Sequence, residues 1–115
     1  MSDNHLDSAV LAALQDVMED EYPLLLDTFL ADSAERLQGL RQCLQQADSH
    51  NLRLAAHSFK GSCSNMGARV LTDLCKQLEQ AARLEQLGLA GVLIEQLELE
   101  FASVSSLLQE ERCRY

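Results

Sequence analysis

Ala55-Ala56-His57-Ser58-Phe59-Lys60-Gly61-Ser62, near the middle of the chain, decides how the rest is read. Wound as an α-helix at about 100° per residue, this region aligns Leu52, Ala56, Phe59, Cys63 and Met66 in one apolar stripe, which must face a core. On the same wheel Arg53, Lys60, Gly61 and Ser64 fall within about 60° of His57, on the side opposite the stripe. His57 is therefore expected to point outward among polar or very small neighbours. Gly61 lies one turn beyond it, mid-helix, where glycine costs about 1 kcal/mol relative to alanine, and its missing side chain clears space beside the imidazole. Lys60, also one turn away, places an ammonium near the ring, where it disfavours the imidazolium and attracts an anion. An accessible neutral imidazole next to a cation suits the carriage of a phosphoryl group.

The chain as a whole narrows the setting. Its 115 residues suffice for one helical core and leave no room for a second catalytic domain. Leu, Ala, Gln and Glu recur at helical spacing, aromatics are only 4%, and there is one Pro, so an all-α bundle is expected. A net charge of −9 argues against a nucleic-acid or anionic-membrane surface and favours protein partners. No apolar run approaches the ~20 residues of a membrane span, and the opening Met-Ser-Asp-Asn-His has no basic stretch followed by an apolar one, so a cytoplasmic location is expected. Cys43, Cys63, Cys75 and Cys113 include no C-x-x-C pair and are expected to be reduced structural thiols. His5, His50 and His57 are too far apart for a helix-spaced ligand pair, and no metal or cofactor of the chain's own is expected.

Taken in order, Leu6, Val10, Leu11, Leu14 and Met18 predict a short helix over about 5–18, capped by Asp3 or Asn4 and lying across one end of a bundle. A long helix over about 20–47 follows, with acidic residues and Pro23 at its start and a seam of Leu26, Leu30, Ser33, Leu37, Leu40, Leu44 and Ala47. Asp48-Ser49-His50-Asn51 ends the seam and supplies capping groups for the His57 helix, expected over 49–66. Gly67 suits the left-handed conformation that closes it. Leu71, Leu74, Leu78 and Ala82 define a helix over 68–84. Gly88 and Gly91 predict a turn before a last helix over 90–111, carrying Ile94, Leu97, Phe101, Val104 and Leu108. The fold expected is an antiparallel four-helix bundle with an additional short N-terminal capping helix. No Gly-rich phosphate loop or other nucleotide-binding motif is present, so a phosphoryl group must come from another protein.

His57-Ser58-Phe59-Lys60-Gly61-Ser62 followed by Asn65-Met66-Gly67-Ala68 resembles the histidine-containing phosphotransfer (HPt) domains of two-component signalling, with their A-H-x-L-K-G-S-x-x-x-x-G-A pattern. Phe59 stands where Leu is commoner and remains apolar. The resemblance covers a core of about 14 residues and, through the bundle architecture, the whole chain, implying a free-standing HPt protein. It implies that His57 accepts a phosphoryl group, most readily on Nε2, from the phospho-aspartate of a hybrid sensor kinase's receiver domain. A response-regulator receiver then takes that group onto its own aspartate. Lys60 would offset charge on the passing phosphoryl oxygens, Gly61 would give access, and Mg²⁺ would come from the receiver. Arg53, Leu54, Ser58 and Ser64 are candidates for the receiver-docking surface of a protein expected to be a monomer and a carrier without an ATP site. Some family members carry Gln on the fourth helix near the acceptor, where this chain has Glu79, a carboxylate that would repel phosphate if it faced the site. No general base is evident near His57, which fits a carrier that preserves its phosphoramidate. A non-catalytic helical adaptor, with His57 incidental, accounts for the bundle but not for Gly61. A small hydrolase lacks a visible nucleophile, base and orienting group.

Overall fold

The computed structural model describes residues 4–115, all-helical in architecture with no strand among them. The helices are α1 (Ser8–Met18), α2 (Tyr22–Gln45), α3 (Ser49–Asn65), α4 (Arg69–Arg83) and α5 (Leu87–Arg112), with a 3-10 turn at Glu19–Glu21 between the first two. Three short connections of one shape set the architecture: Gln46-Ala47-Asp48, Met66-Gly67-Ala68 and Leu84-Glu85-Gln86. The middle residue of each is left-handed, with φ of 52° at Ala47, 71° at Gly67 and 57° at Glu85. The amides of Asp48, Ala68 and Gln86 donate to the carbonyls of Cys43, Cys63 and Ala81 at 2.9–3.0 Å, and those of Ala47, Gly67 and Glu85 donate to Leu44, Ser64 and Ala82 at 3.0 Å. This paired closure satisfies the last carbonyls of a helix and reverses the chain at once. Consecutive helices are thereby sent back alongside each other, and α5 also packs against α2, closing a four-helix bundle.

The buried faces follow the periodicity of the sequence. Leu26, Phe29, Leu37 and Leu40 of α2 meet Leu52, Ala56, Phe59 and Cys63 of α3, Leu71, Leu74, Cys75 and Leu78 of α4, and Ile94, Leu97, Val104 and Leu108 of α5 in one core. Each fully buried Leu or Phe contributes about 1.5–3 kcal/mol relative to exposure. Ser33, in the expected seam, is buried with no hydrogen-bond partner found for its hydroxyl. The four cysteines are free, with Cys63 and Cys75 buried, Cys43 half-buried and Cys113 exposed.

Three sequence expectations are corrected. Asp7, rather than Asn4, caps the first helix, its side chain accepting from the Ala9 amide at 3.0 Å, so α1 begins at Ser8 instead of 5. Asp3, the other expected cap, lies outside the described residues. Leu6 is buried ahead of the helix, and His5 Nδ1 lies 2.7 Å from Glu100 Oε2. The turn expected at Gly88 and Gly91 lies at Glu85, and α5 begins at Leu87 with both glycines inside it. A helix's first turns tolerate glycine, and Gly91 brings the α5 backbone close to Leu44, whose Cδ2 would lie 3.5 Å from an added Cβ. Ala47, expected in the seam, is the exposed turn residue that ends it.

Gly67 does more than terminate α3. Its carbonyl accepts the Asp7 amide at 2.8 Å, and a Cβ there would come within 2.9 Å of the Val10 Cβ. Arg69 Nη2 reaches Asp7 Oδ2 at 2.8 Å beside it. The hydrogen bond from Arg69, aided by the capped amides of α1 and opposed by desolvation, holds the Asp7 carboxyl below the usual carboxylate range. The segment before α1 is therefore tied to the α3–α4 turn.

Candidate functional site

Because Ala56 and Phe59 are drawn fully into the core, the intervening turn of α3 projects His57 outward, with 66% of its side chain exposed. His57 Nδ1 lies 3.0 Å from Oε2 of Glu79, which α4 presents across the helix pair. The other oxygen of Glu79, Oε1, accepts from Lys60 Nζ at 2.8 Å. Glu79 and Lys60 are the sheltered members, 24% and 29% exposed, and the imidazole is the open one. The hydrogen bond from Lys60, opposed by desolvation and reinforced by His57, holds the Glu79 carboxyl below the usual carboxylate range. An ionised carboxylate only accepts, so Nδ1 must carry the proton of this bond. In the neutral ring the lone pair then lies on Nε2, the nitrogen away from Glu79.

This arrangement changes two expectations. Lys60 does not stand as a free ammonium against the ring; it is held by Glu79, which lies between it and His57. A carboxylate does stand at the acceptor, but both its oxygens are engaged, which leaves it poorly placed to activate a water. Gly61 has nothing within 4 Å of where a Cβ would sit, so no packing contact requires glycine there. Arg53 is half-buried and Leu54 is 49% exposed, one turn before His57 on α3. Ser58 turns toward α2, its hydroxyl accepting from Arg36 Nη1 at 2.8 Å. Ser64 lies farther along, lining a depression of about 340 Å³ with Asp7, Gly67 and Arg69. The structure thus joins His57 and Lys60 through Glu79, leaves Gly61 open beside them, and spreads the other candidates along α3.

Glu79 is the member that the sequence left undecided. On α4, Gln77 and Glu79 sit on opposite flanks of the buried stripe, and Gln80 points away from it. Glu79 shares its flank with Cys75, which is fully buried, as is Cys63 of α3. The bonds from His57 and Lys60 identify this flank as the one facing the acceptor, and periodicity alone does not. A second concavity, of about 560 Å³, is lined by Lys60, Glu79, Lys76 and Arg83 among others. Among the described residues no group of His, Cys, Asp and Glu converges to hold a metal ion. Nor, among them, is any helix long and apolar enough to cross a membrane.

Residues 24–107, which include all of α3 and α4, match the Hpt domain family. A search of curated proteins found no match. Among solved structures the chain is similar to the crystal structure of histidine-containing phosphotransfer protein B (HptB) from Pseudomonas aeruginosa PAO1. The two share 58% sequence identity and a TM-score of 0.97, with 99% of each chain covered. Helical architecture, the family match over most of the chain and this likeness agree: the chain belongs to the Hpt domain family, as a histidine phosphotransfer protein of the HptB type.

Proposed function

We propose that His57 is the phosphoacceptor, receiving its phosphoryl group from the phospho-aspartate of a hybrid sensor kinase's receiver domain and yielding it to the aspartate of a response-regulator receiver. The observation that carries this reading is the 3.0 Å contact between His57 Nδ1 and Glu79, in which the ring's proton is kept on the inner nitrogen and its lone pair on the outer one. In the forward step the Nε2 lone pair attacks phosphorus, a P–N bond forms, the P–O bond to the aspartate breaks, and the aspartate departs as a carboxylate. The phosphorylated ring, still protonated on Nδ1, bears positive charge that Glu79 stabilises. That charge keeps Nε2 a good leaving group for the return step onto the next aspartate.

Lys60 has two tasks in this scheme. It neutralises Glu79 so that a carboxylate near the acceptor does not repel the incoming phosphoryl group, and it lends positive potential to the transferring oxygens. Mg²⁺ belongs to the receiver, and the chain needs neither a metal nor a nucleotide of its own. Gly61 leaves room for the receiver's loops, with Arg53 and Leu54 flanking the approach. The chain acts as a cytoplasmic monomer, with α1 capping one end of the bundle.

Incubating the chain with a phosphorylated receiver domain tests this. Acid-labile, alkali-stable label should appear on the wild type and be absent from His57→Gln. Label that survives the substitution would move the acceptor elsewhere, with the exposed His50 next to be examined. A wild type that binds the receiver but never takes label would make the chain an adaptor.

A further inference from the structure

The net charge of −9 is unevenly placed along the bundle. Residues 49–83, which build α3 and α4, carry five Lys and Arg against two carboxylates, a net of +3. Residues 1–48 carry two cations against ten carboxylates, and residues 84–115 carry two against six. Ion pairing sharpens the contrast. Outside α3 and α4 every Lys or Arg has a carboxylate partner: Arg36 with Asp32, Arg41 with Glu98, Arg112 with Asp27 and Arg114 with Glu111. On the α3–α4 side, Lys60 is taken by Glu79 and Arg69 by Asp7. Arg53, Lys76 and Arg83 have no ion-pair partner among the described residues. Arg83 bonds the neutral Gln80, and Asp73, the other carboxylate on this side, is bonded by Gln77.

These three cations bracket the acceptor. Arg53 precedes His57 by one turn on α3, while Lys76 and Arg83 lie one turn to either side of Glu79 on α4. Lys76 and Arg83 also share the concavity that Lys60 and Glu79 line. We propose that Arg53, Lys76 and Arg83 form a cationic collar that steers a protein partner with a carboxylate-rich face onto the α3–α4 side, over His57. The inference rests on His57 being the phosphoacceptor and adds the chemistry of the surface brought to it. Charge complementarity selects the occupant: a phospho-aspartate site presents a phosphoryl dianion, which unpaired cations attract. The acidic remainder of the chain repels the same face, so misdirected encounters are shortened. Such charges act mainly on the association rate and are screened over about 8 Å at physiological ionic strength.

The test uses the full chain, its Lys76→Glu/Arg83→Glu double variant, and a receiver domain from the same genome phosphorylated with acetyl phosphate. Transfer kcat/KM is measured at low and high NaCl, alongside labelling of His57 by phosphoramidate, a donor too small to need a docking surface. The expected result is that salt slows wild-type transfer about tenfold, while the variant starts about tenfold slower at low salt and responds less than twofold. Phosphoramidate should label both chains at comparable rates, and Lys76→Arg/Arg83→Lys should transfer as the wild type does. Equal transfer and equal salt response in wild type and charge-reversed variant would overturn the collar. So would a variant that loses label from both donors, because the defect would then lie at His57 and not in docking. A wild type labelled by neither donor would instead bring down the phosphoacceptor reading itself.

Discussion

The two faces of α3 differ by a single step along the chain and by nearly everything else. Ala56 and Phe59 are fully buried, and His57 and Gly61, each one or two residues away, are exposed. One helix therefore fixes its own position with one face and is free to do chemistry with the other. The separation teaches that a residue's importance to folding and its importance to transfer should be independent on this helix. Glu79 ties the reactive face to α4 through both His57 and Lys60.

The largest expected effect is on the outer face. His57→Gln should reduce label from a phosphorylated receiver to background while changing unfolding free energy by no more than about 0.5 kcal/mol. A large stability loss would show that the two faces are not separable. On the inner face, Phe59→Ala should cost about 3–5 kcal/mol in urea unfolding, from the cavity left under α3. Under native conditions its remaining folded fraction should still accept label, and loss of transfer from folded protein would blur the comparison.

Glu79→Ala probes the tie between the reactive face and α4 and should slow transfer about tenfold, equivalent to ~1.4 kcal/mol. Nitrogen chemical shifts of His57 should show the proton moving from Nδ1 toward Nε2, and an unchanged tautomer would sink the assigned role. The sign of its pH dependence follows from the depressed Glu79 carboxyl. The ion-pair contribution is full above the ordinary glutamate range and fades as acidification passes the lower folded value, so wild type and variant should converge in stability in acid. The smallest effect is at Gly61, where alanine meets open space and should stabilise the helix by up to about 1 kcal/mol. Gly61→Gln should also fold, yet lower receiver binding and transfer. Normal transfer by this variant would mean that no partner comes so close.

What the sequence makes legible follows from how local each signal is. The stripe Leu52, Ala56, Phe59, Cys63 and Met66 is written in one helix's periodicity, and all five are buried. Asp48, one of the capping residues that the sequence suggests, does cap α3, accepting from the Asn51 amide at 3.1 Å. Gly67 announces its left-handed backbone because glycine adopts it freely. Ala47 and Glu85 adopt the same conformation without a residue type that advertises it, at a cost of about 1–2 kcal/mol each, whereas Gly88 and Gly91 carry a turn signal and lie inside α5. The facing of Glu79 depends on how α4 is rotated against α3, a property of two helices together. The collar needed the ion pairs before its unpaired members could be told from the rest.

The arrangement at the far end of the bundle has a practical consequence. The chain has no tryptophan, and its two tyrosines lie together: the rings of Tyr22 and Tyr115 are edge to face at 5.5 Å, and the Tyr22 hydroxyl donates to Glu111 at 3.0 Å. Arg36, which bonds Ser58 beside His57, follows Tyr22 along α2 by a distance of roughly 20 Å at 1.5 Å per residue. The molecule is therefore optically silent where it would meet a partner. Tryptophan emission from a docked receiver can be followed against a dark background, while tyrosine emission reports on the integrity of the opposite end.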